Sequence, residues 1–228
     1  MPAEEIHAPI VDWSKTPLTA AYEGHYVKII DDVFSPEECA ELIALAESDA
    51  EWKEAAVHYG LGANQNYVDK EYRDSERILR FDKPVAEKLY QKLRPYVSEV
   101  AKIQPGDKWE KIMGRAEKAT WECVGINERL SYLKYGIGHF FGPHCDGPLV
   151  LPDGRNAGIT VQIYLGDEGV EGGATRIYGY DDRYFDVEPK KGRVLIFQQR
   201  NVYHSGEKVT KGFKYTLRSD FMFRRVDA

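Results

Sequence analysis

The chain has 228 residues, 43% of them hydrophobic, so it is long enough to bury one substantial core. Its 31 Lys and Arg residues against 37 Asp and Glu residues give a formal net charge of -6 with no basic stripe, which argues against nucleic acid as a partner. No run of about 18 apolar residues predicts a membrane span and no signal-peptide pattern is present, so we expect a cytoplasmic protein.

Two helices are predicted in the first half of the chain. The first starts after Ser35, a suitable N-cap, with Pro36 and acidic residues in its first turn. The second spans residues 85–103, where Pro95 interrupts the helical pattern. Its apolar stripe consists of Val85, Leu89, Leu93 and Val97. We expect both helices to pack against a sheet.

Residues 53–78 separate the two helices and show no steady periodicity, which predicts a long surface excursion and a cover for a site. Arg73 and Arg77 in this segment are candidate contacts to an anionic group of a substrate. The alternative, which the sequence favours, is that they are exposed charges flanking a strand.

After residue 129 the hydrophobic period changes to two, with short runs such as LSYLKY, GITVQIYL, RVLIFQQ and FKYTLRSDFMF. This pattern predicts a mainly β protein of the α+β type, a double-stranded β-helix or jelly-roll barrel with supporting N-terminal helices. We expect a single domain over residues 1–228, with helical support and a lid loop in 1–127 and the core barrel with a metal site in 128–228.

A candidate metal site begins in the segment FFGPHCDGP. On a strand His144 and Asp146 leave the same face, whereas Cys145 leaves the other. His-x-Asp alone is a weak signal, with about 0.4 chance matches expected in a chain of this composition. His204 lies 58 residues after Asp146 in the predicted barrel. Two imidazoles and one carboxylate on one side of Fe(II) leave three positions open for substrates.

Residues 128–223 resemble the catalytic domain of the prolyl 4-hydroxylase-like Fe(II)/2-oxoglutarate-dependent dioxygenases. Four blocks match in family order, and these are NERLSYLKYGIGHFFGPHCDG, VQIYLGDEGVEGGATRIY, EPKKGRVLIFQ and HSGEKVTKGFKYTLRSDFMF. Phe141 departs from the family, in which a tyrosine often stands three residues before the first ligand. The resemblance implies Fe(II), 2-oxoglutarate and dioxygen as cofactor and cosubstrates, with ascorbate as an optional reductant.

The resemblance also implies a buried site for the distal carboxylate of 2-oxoglutarate, which requires a cation. Lys214 and Arg218 share strand parity, and the sequence does not separate their roles. Tyr135 and Tyr164 match tyrosines that donate hydrogen bonds to 2-oxoglutarate in the family. Gly172 and Gly173 match a pair of turn glycines and are expected to be structural.

The implied activity is hydroxylation of an unactivated C–H bond in a small molecule, an amino acid or a prolyl peptide, with release of succinate and CO2. His144, Asp146 and His204 would be the catalytic metal ligands. The alternatives are a protein- or nucleic-acid-modifying oxygenase on the same barrel, a non-enzymatic jelly-roll binding module and a zinc hydrolase with the same ligands.

Overall fold

The fold was obtained as a computed structural model, which describes residues 8–58, 66–114, 119–166 and 169–226. Within these ranges, no helix is both long and apolar enough to cross a bilayer. The α-helices of the described residues are α1 (Thr19–Tyr22), α2 (Pro36–Glu47) and α3 (Lys83–Leu93). Short 3-10 segments are found at Trp13–Lys15, Arg94–Val100 and Glu110–Ile112.

Eighteen strands lie in the described ranges, and most are antiparallel neighbours of strands distant in sequence. The first nine are β1 (Val27–Ile30), β2 (Lys53–Glu54), β3 (Val57–His58), β4 (Asn66–Tyr67), β5 (Arg73–Asp74), β6 (Glu76–Phe81), β7 (Lys102–Ile103), β8 (Thr120–Ile126) and β9 (Arg129–Tyr135). The others are β10 (Phe140–His144), β11 (Asn156–Gly166), β12 (Glu171–Gly172), β13 (Thr175–Tyr178), β14 (Tyr184–Val187), β15 (Val194–Gln198), β16 (His204–Gly206), β17 (Val209–Lys211) and β18 (Lys214–Val226).

Two antiparallel sheets form the body of the fold. The large sheet has the order β1-β15-β11-β18-β9-β6-β2, with β8 also paired to β18 and β7 to β8. The small sheet has the order β14-β13-β16-β10-β5. Each sheet interleaves strands from both ends of residues 129–226, which is the arrangement of a double-stranded β-helix. The predicted jelly-roll fold is therefore confirmed, as two facing sheets.

The central strand β11 separates a core from a cavity. Its odd-numbered residues from Ile159 to Leu165 are buried among the helices, because side chains alternate across a strand. Its even-numbered residues Thr160 and Gln162 line a cavity between the two sheets. The alternation that identifies β11 in the sequence thus also determines which of its side chains can contribute to a site.

The two predicted helices are confirmed, and both pack on the large sheet. Ser35 caps α2 in a reciprocal capping box with Glu38, which satisfies free N–H groups at the helix start. Helix α3 ends at Leu93, and Pro95 lies in the 3-10 segment that follows, which kinks at Val97. A proline cannot continue an α-helical hydrogen-bond ladder, which accounts for this break.

The N-terminal part of the chain supplies strands as well as helical support. Strands β1, β6 and β8 all belong to the large sheet, and β6 extends it beside β9. The predicted excursion over residues 53–78 therefore ends in a sheet strand. Residues 59–65 of the predicted lid lie outside the described residues, and the role of the segment as a lid stays a prediction.

Candidate active site

Two histidines from neighbouring strands form the centre of the candidate site. His144 ends β10 and His204 begins β16, and the two residues are direct partners in the antiparallel ladder. Residues opposite each other in a sheet project side by side, so the imidazole centroids lie 4.3 Å apart. The distant positions in the sequence thus become adjacent through strand pairing.

Asp146 completes the cluster from the loop after β10. Ligand atoms of His144, Asp146 and His204 all lie within 4.8 Å of one another. The Asp146 Oδ1 atom is 3.8 Å from His144 Nε2, while its other oxygen, Oδ2, pairs with Arg218 Nη2 at 3.1 Å. One carboxylate oxygen is therefore held by the protein, and the other faces the imidazoles.

Both imidazoles are oriented by backbone carbonyl groups. Each Nδ1 lies within hydrogen-bond distance of the carbonyl two residues earlier, His144 at 2.9 Å from Gly142 and His204 at 3.0 Å from Val202. If Nδ1 donates in each case, both Nε2 atoms are left with lone pairs toward Asp146. Burial lowers the pKa of His144 to about 4, which favours the neutral ring that a metal requires.

The carboxylate of Asp146 stays ionised in spite of its burial. Burial alone would raise its pKa, but the nearby Arg218 guanidinium holds the pKa well below the usual range. Thr160 Oγ1 also donates a hydrogen bond to Asp146 Oδ2. Two imidazoles and one carboxylate form the donor set typical of non-haem Fe(II) sites with open positions, so these residues fit ferrous iron.

Lys214 offers a second fixed charge in the same cavity, at the start of β18. Its ammonium is buried, donates to the Gly173 carbonyl at 2.7 Å and lies 4.4 Å from the ring centroid of Tyr135. Among the described residues, no carboxylate lies within ion-pair distance of it. Burial lowers the pKa of Lys214 to about 8, which makes this group costly to keep charged without a partner.

Thr216 lies two residues along the same face of β18 and also lines the cavity. Its hydroxyl is buried and has no hydrogen-bond partner among the described residues. Buried hydroxyl groups in folded proteins nearly always form hydrogen bonds, so the Thr216 hydroxyl indicates a bound group that accepts its hydrogen bond. Lys214 and Thr216 together fit the carboxylate of a cosubstrate such as 2-oxoglutarate.

Arg218 differs from Lys214 in its partners, although both face the cavity. It pairs with Asp146 at 3.1 Å and with Asp220 at 3.0 Å, so its charge is already balanced by two carboxylates. Asp220 in turn accepts hydrogen bonds from Gln199 at 2.8 Å and Asn127 at 3.2 Å. Arg218 is therefore built into a network that orients Asp146.

The two predicted tyrosines lie in different surroundings. Tyr135 is buried, lines the cavity and stacks near Lys214. Tyr164 is fully buried in a second core cluster and does not appear in the cavity wall; its hydroxyl lies 2.7 Å from Thr175 Oγ1. Thr175 does line the cavity, so Tyr164 contacts the site through this residue. Contacts of both tyrosines to 2-oxoglutarate stay predictions.

Sequence reasoning did not identify several polar residues of the cavity. They are Arg129, Thr160, Gln162, Thr175, Thr216 and Asp220. Strand parity was the available signal, since Thr160 and Gln162 alternate on β11 and Thr216 and Asp220 share the parity of Lys214 and Arg218. The glycines predicted to be structural were identified correctly, because Gly172 at the end of β12 and Gly173 after it both have positive φ, and a Cβ at Gly172 would collide with the Lys208 carbonyl.

Three further arginines line the cavity, which has a volume of about 740 Å³. Arg73 on β5 is buried, with its guanidinium carbon 4.4 Å from the ring centroid of Phe141. Phe141 in turn stacks on His144 at 3.9 Å between ring centroids. Arg77 and Arg129 come from β6 and β9 of the large sheet. The favoured expectation that Arg73 and Arg77 are exposed surface charges is therefore wrong, because the chain folds both into the cavity wall.

Comparisons with known proteins agree with this site. Residues 130–219 match the family model of the 2OG-Fe(II) oxygenase superfamily. A search of curated protein sequences found no significant match.

Among solved structures, the chain is similar to a Pseudomonas putida prolyl-4-hydroxylase, with a TM-score of 0.57 and 16% identity over 88% of this chain and 94% of that one. It is also similar to the viral collagen prolyl hydroxylase of Paramecium Bursaria Chlorella virus-1, solved with 2OG, with a TM-score of 0.54 and 21% identity over 89% and 98% of the two chains. A Trichoplax adhaerens prolyl hydroxylase has a TM-score of 0.54 and 15% identity over 88% and 84%.

At these identities the solved structures support the shared fold, and the family model covers the segment that holds the His-Asp-His cluster. Residues 130–219 thus match the model of the 2OG-Fe(II) oxygenase superfamily, and the chain has a fold similar to that of these prolyl hydroxylase structures.

Proposed function

We propose that this protein is an Fe(II)- and 2-oxoglutarate-dependent oxygenase that hydroxylates an unactivated C–H bond, with release of succinate and CO2. The observation that carries the proposal is one cavity that contains both the His144, Asp146 and His204 cluster and the buried ammonium of Lys214. A metal site with open positions and a fixed cation for a carboxylate are the two parts that oxidation with 2-oxoglutarate requires. A non-enzymatic binding module requires neither.

In this proposal His144, Asp146 and His204 hold Fe(II). When bound, the metal and 2-oxoglutarate supply the activation of dioxygen for oxidation of the substrate. The protein holds the donor atoms in place, through the carbonyl contacts of the imidazoles and the contacts of Arg218 and Thr160 to Asp146.

Lys214 holds the distal carboxylate of 2-oxoglutarate, with the Thr216 hydroxyl as a second donor and Tyr135 as a wall of the pocket. A cation is needed there because a buried carboxylate without a partner would cost several kcal/mol. Phe141 and Phe197 contact the two imidazoles, with ring centroids 3.9 Å from His144 and 4.8 Å from His204. These aromatic rings exclude water beside the cluster.

The acceptor is a small molecule, an amino acid or a prolyl peptide. Prolyl peptides are included because structures of similar fold are named prolyl hydroxylases. Residues 1–228 act as one domain in this proposal, since strands from both halves form the large sheet.

The test is anaerobic loading with Fe(II) and 2-oxoglutarate, followed by addition of oxygen and detection of succinate across amino acids and proline-containing peptides. We expect succinate formation that His144→Ala abolishes and that Lys102→Ala, a change at an exposed side chain of the edge strand β7, leaves unchanged. Succinate formation by the His144→Ala variant at the wild-type rate would remove the proposed metal site. If the protein forms no succinate with any acceptor tested, and none in the reaction without an acceptor, the proposed activity is refuted.

A further inference from the structure

The cavity contains more positive charge than the proposed chemistry uses. The described residues that line it include five cationic side chains and two carboxylates. The cations are Arg73, Arg77, Arg129, Lys214 and Arg218, and the carboxylates are those of Asp146 and Asp220. Asp146 and Asp220 are both ion-paired to Arg218. If Fe(II) and 2-oxoglutarate bind as proposed, the two positive charges of Fe(II) balance the carboxylates of Asp146 and Asp220. The two negative charges of 2-oxoglutarate then balance Lys214 and Arg218. The charges of three arginines are then left without a counterpart.

These three arginines form no ion pair with a carboxylate of the described residues. Among the described residues, no Asp or Glu oxygen lies within 4 Å of Arg73, Arg77 or Arg129, and the Nε of Arg73 donates only to Ser75 Oγ at 3.0 Å. In the part of the chain that the structure describes, every other half-buried arginine forms an ion pair, as in the contact of Arg176 with Asp186 and of Arg155 with Glu128. The cavity arginines are therefore an exception that requires a reason.

Their mutual proximity has an electrostatic cost. Burial lowers the pKa of Arg77 to about 10, with further lowering by the charges of Arg73 and Arg129. Burial and the charges of Arg218 and Arg73 likewise lower the pKa of Arg129. Like charges held together in a partly desolvated wall are unfavourable unless an anion binds between them.

The three side chains come from both sheets and converge on one part of the cavity. Arg77 is paired with Leu133 across the β6–β9 ladder, and Arg129 lies on the same face of β9. Arg73 faces them from β5 of the small sheet, against Phe141 and next to His144. Lys214 is at the opposite end of β9, where it pairs with Tyr135. Arg129 thus lies at the end of β9 away from Lys214, Arg77 lies opposite Leu133 between these two levels, and Arg73 lies beside the metal cluster.

We propose that Arg73, Arg77 and Arg129 bind an oxyanion of the substrate, a carboxylate or a phosphate, and so position its C–H bond beside the metal cluster. This inference rests on the proposed function and specifies its substrate class. Planar guanidinium groups from two directions suit an oxyanion, because each offers paired N–H donors in a fixed fork. A cluster of one charge sign in a cleft also attracts an anion to a protein with net charge of -6.

The experiment measures binding as well as turnover. Thermal unfolding of the Fe(II)- and 2-oxoglutarate-loaded protein is followed under argon with millimolar N-acetyl amino acids and organic acids, and each acid is compared with its uncharged primary amide. O-phosphoserine beside serine forms the phosphate arm. We expect at least one anion to raise the unfolding temperature more than its neutral partner. Equal shifts from every acid and its neutral partner would overturn the inference.

Variants then locate the anion site. Arg77→Gln and Arg129→Gln should each raise the half-saturating concentration of that anion roughly tenfold or more, because each removes charged hydrogen bonds. Arg77→Lys should recover part of the loss. The control Lys134→Gln removes a charge from the opposite face of β9, where Lys134 pairs with Glu76 at 3.3 Å, and should have no effect. Unchanged anion affinity in both glutamine variants would contradict the assignment.

Titration of 2-oxoglutarate into the metal-loaded protein without substrate separates the two proposals. If Arg77→Gln weakens 2-oxoglutarate binding as strongly as Lys214→Met does, the arginines serve the cosubstrate and the inference fails, while the proposed function stands. If the wild type forms no succinate, the proposed function fails. The thermal shifts with acids and amides still decide whether the arginines bind an anion.

Discussion

Replacement of Lys214 by methionine should stabilise the protein without ligands and at the same time remove its affinity for 2-oxoglutarate. The ammonium is buried, and its pKa is lowered from 10.5 to about 8, which corresponds to roughly 3 kcal/mol of cost for the charged form. Loss of the hydrogen bond to the Gly173 carbonyl costs about 1–2 kcal/mol in return. Lys214→Met should therefore be about 1–2 kcal/mol more stable at pH 7.

The pH dependence identifies the cause. A lysine with a lowered folded-state pKa binds fewer protons in the folded than in the unfolded chain, so wild-type stability rises between pH 8 and 10.5. Urea denaturation of the metal-free protein should show the advantage of Lys214→Met at pH 7 and its loss toward pH 10. The exposed Lys211, which pairs with Glu171, gives the control Lys211→Met.

The same variant should bind 2-oxoglutarate roughly 100-fold or more weakly, since a buried carboxylate left without its cation costs about 3–5 kcal/mol. Isothermal titration of the Fe(II)-loaded protein under argon measures this loss. A variant that is less stable than the wild type by the same amount at pH 7 and pH 10 would refute the electrostatic reasoning. Full retention of 2-oxoglutarate affinity would refute the role of Lys214.

Three more predictions concern other parts of the site and fold. Arg218→Lys should lower Fe(II) affinity roughly 10- to 100-fold in equilibrium dialysis, because the guanidinium fork that orients the carboxylate of the cluster is lost; weaker 2-oxoglutarate binding with unchanged metal affinity would instead assign Arg218 to the cosubstrate. The dissociation constant of 2-oxoglutarate should be constant below pH 8 and rise about tenfold per pH unit above it, since only the ammonium form of Lys214 pairs with a carboxylate; Lys214→Arg should abolish this rise, and a rise that persists would contradict it. Gly192→Ala should lower the free energy of unfolding, measured by urea denaturation, by more than about 2 kcal/mol, because the φ of Gly192 is +79° and a Cβ would collide with the Phe34 carbonyl. The control Gly24→Ala, at a similar φ with open surroundings, should lower it by about 1 kcal/mol. Equal losses in the two variants would show that the collision is relieved.

The strand pattern and the metal cluster could be predicted from the sequence because both follow from short-range regularities. Alternation of apolar residues marks β9, β11 and β18, a continuous apolar run marks β15, and a His-x-Asp pair on a strand puts two donors on one side. The strands β1 and β6 were not predicted, because their sequences VKII and ERILRF are short and contain charged residues. Both are strands because they pair with β15 and β9.

The roles of Lys214 and Arg218 could not be separated from the sequence for a related reason. Equal parity puts both on one face, but their partners, Gly173 and Asp146, come from other segments. The same limit applies to Tyr164, whose partner Thr175 lies on β13 of the other sheet. The sequence likewise could not show that Arg73 is buried in the cavity wall, because its position depends on strands that are distant in the sequence.

Because His144 and His204 are partners across two strands, metal binding depends on the correct register between β10 and β16. A slip of one residue between β10 and β16 would turn one imidazole to the far side of the small sheet, because side chains alternate across it. Only the native register places both imidazoles on the same side of the sheet. Ferrous iron would therefore bind to and stabilise chains in which β10 and β16 are correctly paired. These two strands are separated in the sequence by the segment that contains β11 to β15.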